Sequence, residues 1–255
     1  MKELYIFVTT KSRYENCKTV DLIGNYKNLY IIVEPQEYDE YRSRYLDFNI
    51  LQLSENNKGL AFARNFIKIY TEENNIEDYW VLDDDISYFY ERDGKKLNRI
   101  DFESCLNNSR KFFKEKNIAV GGLEYRQYAW SANKRLIENS FCDSAVFIDN
   151  NLTKGLRYNE ELRLKIDRDF CIKTIKSGNK TGRDTFYAFS VPPNGSNKGG
   201  LKEIAYDITD LEKNMCLKMV EIWGGDICEH IVKEDGRNDL KINWGNINSN
   251  QTKLF

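Results

Sequence analysis

Histidine is almost missing from this chain, with one residue, His230, in 255. Six cysteines are present, but no two stand in a C-x-x-C pair. With a single imidazole, that excludes the usual Cys/His zinc pattern. The scattered thiols fit a reducing compartment in which cysteines stay buried. An excess of one charge sign is lacking too: 38 Lys plus Arg face 40 Asp plus Glu, a formal net charge of -2. No global positive field holds such a chain on a polyanion, so any nucleic-acid contact needs a local patch. No apolar run approaches the about twenty residues of a membrane span. The stretch Met1 to Val8 is too short for a signal-peptide core before polar Thr9, Thr10 and Lys11. A cytoplasmic protein without membrane contact is the expectation. Repeats, low-complexity tracts and linkers are also lacking, so the 255 residues read as one domain.

What the chain does have is a stretch in which an apolar run meets three acids, Tyr79-Trp80-Val81-Leu82-Asp83-Asp84-Asp85-Ile86. The run reads as a strand buried on both faces, and in open parallel sheets ligands gather where such strands end. Three adjacent carboxylates repel one another at neutral pH unless a cation is shared among them. Oxygen ligands suit Mg²⁺ or Mn²⁺, which bind one or two carboxylates plus substrate phosphates. A solvated acidic turn is the competing reading.

Short apolar runs at Leu4 to Thr9, Leu29 to Glu34 and Asn49 to Leu53 alternate with polar connectors, Tyr38 to Tyr45 among them helical in pattern. That alternation predicts a mostly parallel sheet with helices on its faces. Lys58 to Tyr70 places Leu60, Ala63, Phe66, Ile67 and Tyr70 on one helical face, with Gly59 at its start and Lys58 and Arg64 nearby. A helix start with added positive charge favours an anion such as phosphate, although an ordinary amphipathic helix has the same pattern. Tyr88 to Arg92 reads as a strand closed by an Asp93-Gly94 turn, and Asp101 to Lys116 as a helix capped by Asp101. Leu123 to Ser140 is less periodic and reads as a loop whose aromatics, Trp130 included, either pack or stack on a sugar or base. Ser144 to Asp149 is a buried strand.

Leu164 to Gly178 reads as a helix with an acidic start at Asp167 and Asp169 and Gly178 just past its end. A carboxylate there is suited to act as a base toward an acceptor hydroxyl, while a mere helix cap explains one aspartate and not both. Thr185 to Val191 is a further strand, followed by a glycine-rich loop in which Lys198, Gly199 and Gly200 suit a close ligand approach. Ile208 to Trp223 reads as a helix with Leu211, Met215, Met219 and Ile222 inward, and Leu240 to Trp244 as the last strand. His230 is either structural or a neutral ligand completing a carboxylate metal site.

In order and spacing these segments resemble a nucleotide-sugar glycosyltransferase of the GT-A type. The resemblance rests on G-L-A-F-A-R-N (Gly59 to Asn65), on Asp83-Asp84-Asp85 in the place of the family's D-x-D, and on Val146 to Phe170. It implies a Rossmann-like α/β fold in which residues 1–90 bind the nucleotide and 91–255 the acceptor. It further implies Mn²⁺ or Mg²⁺ on Asp83, Asp85 and His230, and a nucleoside-diphosphate sugar, UDP-linked by preference. That donor would meet Thr9, Thr10, Arg13, Glu34, Lys58, Gly59, Arg64, Asp83 and Asp84. Asp167 maps to the base of inverting members, although Ile166 stands where many relatives carry glutamate.

A-R-N before L-D-D-D-I, D-R-D-F, N-K-G-G-L (Asn197 to Leu201) and G-R-N-D-L-K-I-N-W (Gly236 to Trp244) are similar to the TET-associated glycosyltransferases. Those phage-type enzymes are implied to decorate hydroxymethylated pyrimidines in DNA, which makes such DNA the expected partner. Trp130, Asp169, Lys198, Gly199 and Gly200 are the expected acceptor contacts. Arg163, Lys165, Arg168, Lys173, Lys176, Lys180, Arg183, Lys198 and Lys202 would form a basic patch or a solvated face. A glycan or protein acceptor is the alternative. So is an aspartate-nucleophile phosphohydrolase, since Asp83 to Ser87 also reads D-x-D-x-S; that motif normally follows a first strand, and here three strand-like runs precede it.

Overall fold

The computed structural model describes residues 3–192 and 210–247. Its organising element is one sheet. In chain order the strands are β1 (Ile6–Thr9), β2 (Leu29–Val33), β3 (Asn49–Gln52), β4 (Asp78–Asp83), β5 (Tyr88–Asp93), β6 (Lys96–Ile100), β7 (Ile118–Tyr125), β8 (Leu136–Glu138), β9 (Ala145–Asp149) and β10 (Lys180–Ser190). They lie side by side as β3-β2-β1-β4-β9-β7-β10-β5-β6, with β8 beside β10. Neighbours from β3 to β4 are parallel. β9 runs against both β4 and β7, and β7 and β10 are again parallel. Among the described residues seven of the ten strands therefore point one way, and β5, β8 and β9 oppose them.

Alternation along the buried strands feeds two cores. Phe7, Tyr79 and Val81 face one side with Ile67 and Ile172, on the helices α3 (Leu60–Glu73) and α6 (Ile166–Lys176). Ile6, Val8, Trp80 and Leu82 face the other with Val20, Tyr41 and Leu106, on α1 (Lys18–Ile23), α2 (Tyr38–Arg44) and α4 (Phe102–Glu115). In β4 Tyr79 to Leu82 are buried on one face or the other, which is why the strand reads as a continuous apolar run. Gly121 lets α4 settle onto β7, since a Cβ there would lie 2.5 Å from the Phe113 ring. Asp101 caps α4 by accepting the Ser104 N–H at 2.8 Å, as its sequence predicts.

Several elements differ from the sequence expectation. The stretch expected as a loop continues β7 to Tyr125, turns through α5 (Arg126–Ala129) and adds β8. The turn at Asp93-Gly94 joins β5 to β6, so that segment is a hairpin. In the helix α7 (Leu211–Trp223) Met219 is core, but Ile222 is exposed. The last strand, β12 (Asn238–Ile242), pairs only with β11 (Cys228–Val232) in a separate antiparallel ribbon. No helix among the described residues is long and apolar enough to cross a membrane. The glycine-rich loop with Lys198, Gly199 and Gly200, and Lys202, lie outside the described residues.

Candidate active site

A cleft of about 270 Å³ opens beside the ends of β1 and β4, lined by Thr9, Thr10, Arg13, Glu34, Gly59 and Asp83 to Asp85, with Arg163 and Leu211 in its wall. β4 delivers the acids into a turn braced by Thr19 of α1. The Thr19 hydroxyl donates to the Asp83 carbonyl at 2.5 Å and accepts the Ile86 N–H at 2.9 Å. The Asp83 N–H donates to the Ser144 carbonyl, 2.8 Å away.

β4 ends at Asp83 and the chain turns through Asp84 and Asp85, and the three acids differ in burial. Asp84 is only 6% exposed and accepts from the Thr10 hydroxyl at 2.7 Å and from the Arg13 guanidinium. Burial pushes its carboxyl up to about 6, against the pull of Arg13. Its neighbours stay open, with the Asp83 side chain 34% and the Asp85 side chain 26% exposed. Arg64 of α3 donates to Asp83 at 3.1 Å, and Arg13 lies 3.6 Å from Asp85.

Arg64 itself is 1% exposed, and its Nε and Nη1 have no hydrogen-bond partner among the described residues. Burial works against its charge, but Asp167 first and Asp83 after it more than offset that, raising it. Asp167, in the first turn of α6, likewise has a shielded Oδ1 without a partner among the described residues. Burial pushes its carboxyl up to about 6; Arg64 pulls the other way and Asp83 adds to the rise. Unpaired buried polar atoms are rare in folded proteins and mark a partner supplied from outside. Neither acid caps α6, whose N-cap is Lys165 in a left-handed conformation with φ 66°. Asp167 is thus left for other work.

Gly59 precedes α3 at φ +91°, and a Cβ there would stand 2.8 Å from the Arg163 guanidinium. That guanidinium donates to the Lys58 carbonyl at 2.5 Å. Arg163 locks the start of α3 in place, a function that its membership in a basic run did not suggest.

Other expected residues are placed differently. Lys58 turns to Glu55 at 2.9 Å and does not line the cleft. Glu34 lines it, but its carboxylate is engaged by Lys11 at 2.9 Å and by the Asn57 N–H at 3.0 Å. Asp169 is fully buried, accepting from the Trp223 indole at 3.0 Å and pairing with Lys173 at 2.8 Å. The expectation that it meets an acceptor is corrected: with no exposed surface, it holds α6 to α7. His230 is fixed in the β11–β12 ribbon with Nε2 2.7 Å from Asn238 Oδ1. Among the described residues no three or more His, Cys, Asp or Glu gather as a ligand set, so the expected grouping of His230 with Asp83 and Asp85 is not found. The expected basic patch is largely neutralised. Lys165 and Arg168 meet Asp239 at 3.0 and 2.6 Å, Lys180 meets Glu138 and Arg183 meets Glu124. Trp130 is exposed in a second groove with Tyr125 and Arg126.

Asp143 went unnoticed in the sequence. It stands just before β9, where antiparallel pairing brings the start of that strand beside the end of β4. Burial pushes its carboxyl up to about 7, with Asp167 and Asp83 adding to the rise. An acid one residue ahead of a buried strand was the available signal, but it points to the site only once β9 is known to run backwards.

The family model of TET-associated glycosyltransferases matches residues 4–200, a span containing the whole central sheet, the triplet and α6. The chain belongs to the TET-associated glycosyltransferase family. No curated protein matches it. Among solved structures, TarS 1-349 of S. aureus is similar at 13% identity and a TM-score of 0.51, over 86% of this chain and 65% of that one. The same protein in complex with UDP matches at 12% identity and a TM-score of 0.47, over 86% and 66%. A197 from STIV matches at 13% identity and a TM-score of 0.40, over 72% of this chain and 83% of that one. The chain thus spans 65% of the TarS structure, and at such identity the likeness to TarS is one of fold, a GT-A-type α/β sheet.

Proposed function

We propose that this chain transfers a sugar from a nucleoside-diphosphate donor to the hydroxyl of a hydroxymethylated pyrimidine in DNA, with a divalent cation. The observation that carries the reading is that two partly exposed carboxylates line the cleft and that behind Asp83 lie Arg64, bonded to it at 3.1 Å, and Asp167, each with a buried polar atom lacking a partner among the described residues. Asp83 and Asp85 fit Mg²⁺ or Mn²⁺, which need only one or two protein carboxylates when a diphosphate supplies further oxygens. An ion held there would offset charge on the departing nucleoside diphosphate.

The chain's own groups account for the rest. Thr9, Thr10 and the wall near Glu34 bind the nucleoside at the end of β1, and Arg64 adds fixed positive charge beside Asp83. Asp167 accepts the proton of the acceptor hydroxyl as its oxygen bonds to the anomeric carbon and the bond from that carbon to the phosphate oxygen breaks. With its carboxyl near 6, Asp167 is mostly ionised at neutral pH and still basic enough for the transfer.

The test incubates the protein with a panel of nucleotide sugars, Mn²⁺ or Mg²⁺, and DNA with or without hydroxymethylpyrimidines, read by nucleoside mass spectrometry. A hexose or pentose mass increment confined to the hydroxymethylated DNA is expected. Transfer to a glycan or protein with none to DNA would replace the acceptor, and phosphate release from simple monoesters without transfer would sink the reaction class.

A further inference from the structure

The second groove, about 480 Å³, lies between the β5–β6 hairpin and α5. Its floor is Tyr125 at the end of β7 and Ser190 at the end of β10, strands pointing the same way as β4. Two short chains of contact join it to the acids. The Tyr125 hydroxyl is 3.1 Å from Ser144 Oγ, whose own carbonyl accepts the Asp83 N–H, and the Ser87 N–H donates to the Ser190 carbonyl at 2.8 Å. The groove and the cleft therefore open on one edge of the sheet.

Its rim is aromatic and basic. Trp130 and Tyr128 are 55% and 56% exposed. The Trp130 indole N–H donates to the Gln127 carbonyl at 2.9 Å, so the ring is anchored by its polar edge within its own loop. Arg92 fixes that loop from the hairpin by donating to the Ala129 carbonyl at 3.4 Å and to the Ala132 carbonyl. Arg99 stacks over Tyr88 at 3.6 Å and Arg126 over Tyr90 at 5.1 Å. Residues 88–100 carry four cations and two carboxylates in a molecule of net charge -2. Rigid exposed rings interleaved with arginine and lysine are the pattern that binds unstacked bases and their phosphates. A neutral glycan would use the rings but has no need of the cations.

We propose that this groove holds an unpaired stretch of the acceptor nucleic acid, with Trp130 and Tyr128 as base-stacking faces and Lys95 and Arg126 beside its phosphates. The inference rests on the DNA acceptor reading and places the strand across β9 from the cleft at the ends of β1 and β4. A base flipped from a duplex leaves its neighbours unstacked, and a platform beside the site would hold them.

The test measures fluorescence anisotropy of a labelled single-stranded oligonucleotide with no donor present, together with photocrosslinking of a 5-iodouracil oligonucleotide mapped by mass spectrometry. Adducts on the Tyr128–Trp130 loop are expected. Trp130→Ala should weaken binding about tenfold or more, Trp130→Phe should restore most of it, and the remote Leu217→Ala should leave it unchanged. Wild-type binding that Trp130→Ala and Tyr128→Ala leave intact, with adducts elsewhere, overturns the groove but not the DNA reading. Failure of the wild type to bind or glycosylate any DNA overturns both. Binding of neutral oligosaccharide lost in Trp130→Ala, without DNA binding, replaces the partner.

Discussion

Two short acidic stretches flank the cleft, and they sort their carboxylates in different ways. Asp83 ends β4 and Asp84 and Asp85 form the turn after it, and of the three only Asp84 is buried, against Thr10 and Arg13. Asp167 and Asp169 begin a helix, where residues two apart point to nearly opposite sides. Asp167 therefore faces Arg64, and Asp169 is sealed against Trp223 and Lys173. In the helix Asp167 keeps a buried oxygen without a partner among the described residues, and in each stretch another acid serves the fold. Adjacent acids of one chemical type thus end in different surroundings, set by the backbone and by what packs against it.

The helical pair should separate most sharply. Asp167→Asn is expected to lower kcat for sugar transfer by about 10²–10⁴-fold with the melting temperature little changed. In the wild type, activity should fall as the pH drops through about 6, because protonated Asp167 cannot accept the acceptor proton. A transfer rate in Asp167→Asn near that of the wild type, with the same acid limb, would remove it from the chemistry. Asp169→Ala should do the opposite. Losing one member of a buried ion pair costs about 3–5 kcal/mol, so urea unfolding should shift strongly, while any folded fraction keeps its donor binding.

Much of this division could be read in advance. The run from Tyr79 into three acids identified β4 and the acids at its end, while the grouping of Asp83 with Asp85 came from the resemblance to a D-x-D motif. For α6 the same acids were visible, but which side of a helix faces a cleft depends on what packs behind it, here Trp223 from a distant segment. Three other features stayed hidden. Asp143 is adjacent only because β9 runs antiparallel, Thr19 braces the triplet from a six-residue helix with little periodicity, and His230 reads as either structural or a ligand until its ribbon partner Asn238 is known. The first two depend on long-range pairings that local pattern does not carry, and the third on which hairpin neighbour the ring meets.

Within the strand triplet the largest effect belongs to the open acids. Asp85→Ala should reduce transfer by about 10²–10³-fold, the scale of losing one preorganised electrostatic contact in a transition state. Raising Mn²⁺ should recover part of it if Asp85 helps to hold the ion. Isothermal titration with Mn²⁺ in the presence of nucleoside diphosphate checks the point directly. Unchanged ion affinity and unchanged turnover together would exclude a metal role for Asp85.

The middle acid should give the smallest effect, and one of a different sign. Burial raises the Asp84 carboxyl to about 6 in the fold, above its unfolded value. A group raised in this way favours folding while it is protonated, and that contribution is lost as the pH rises through about 6. Asn at this position can still accept from Thr10, and it removes the buried charge at the cost of the Arg13 ion pair. Near pH 7 the net change should therefore lie within about 1 kcal/mol. The comparison is best made by melting Asp84→Asn and wild type across pH 4.5 to 8 with a chelator present, so that bound metal does not shift the neighbouring acids. The wild type should lose ground relative to the variant as the pH rises from 4.5 to about 6 and hold level above it. A difference between the two that stays flat across that range would mean that Asp84 is charged throughout, held by Arg13 more firmly than burial opposes it.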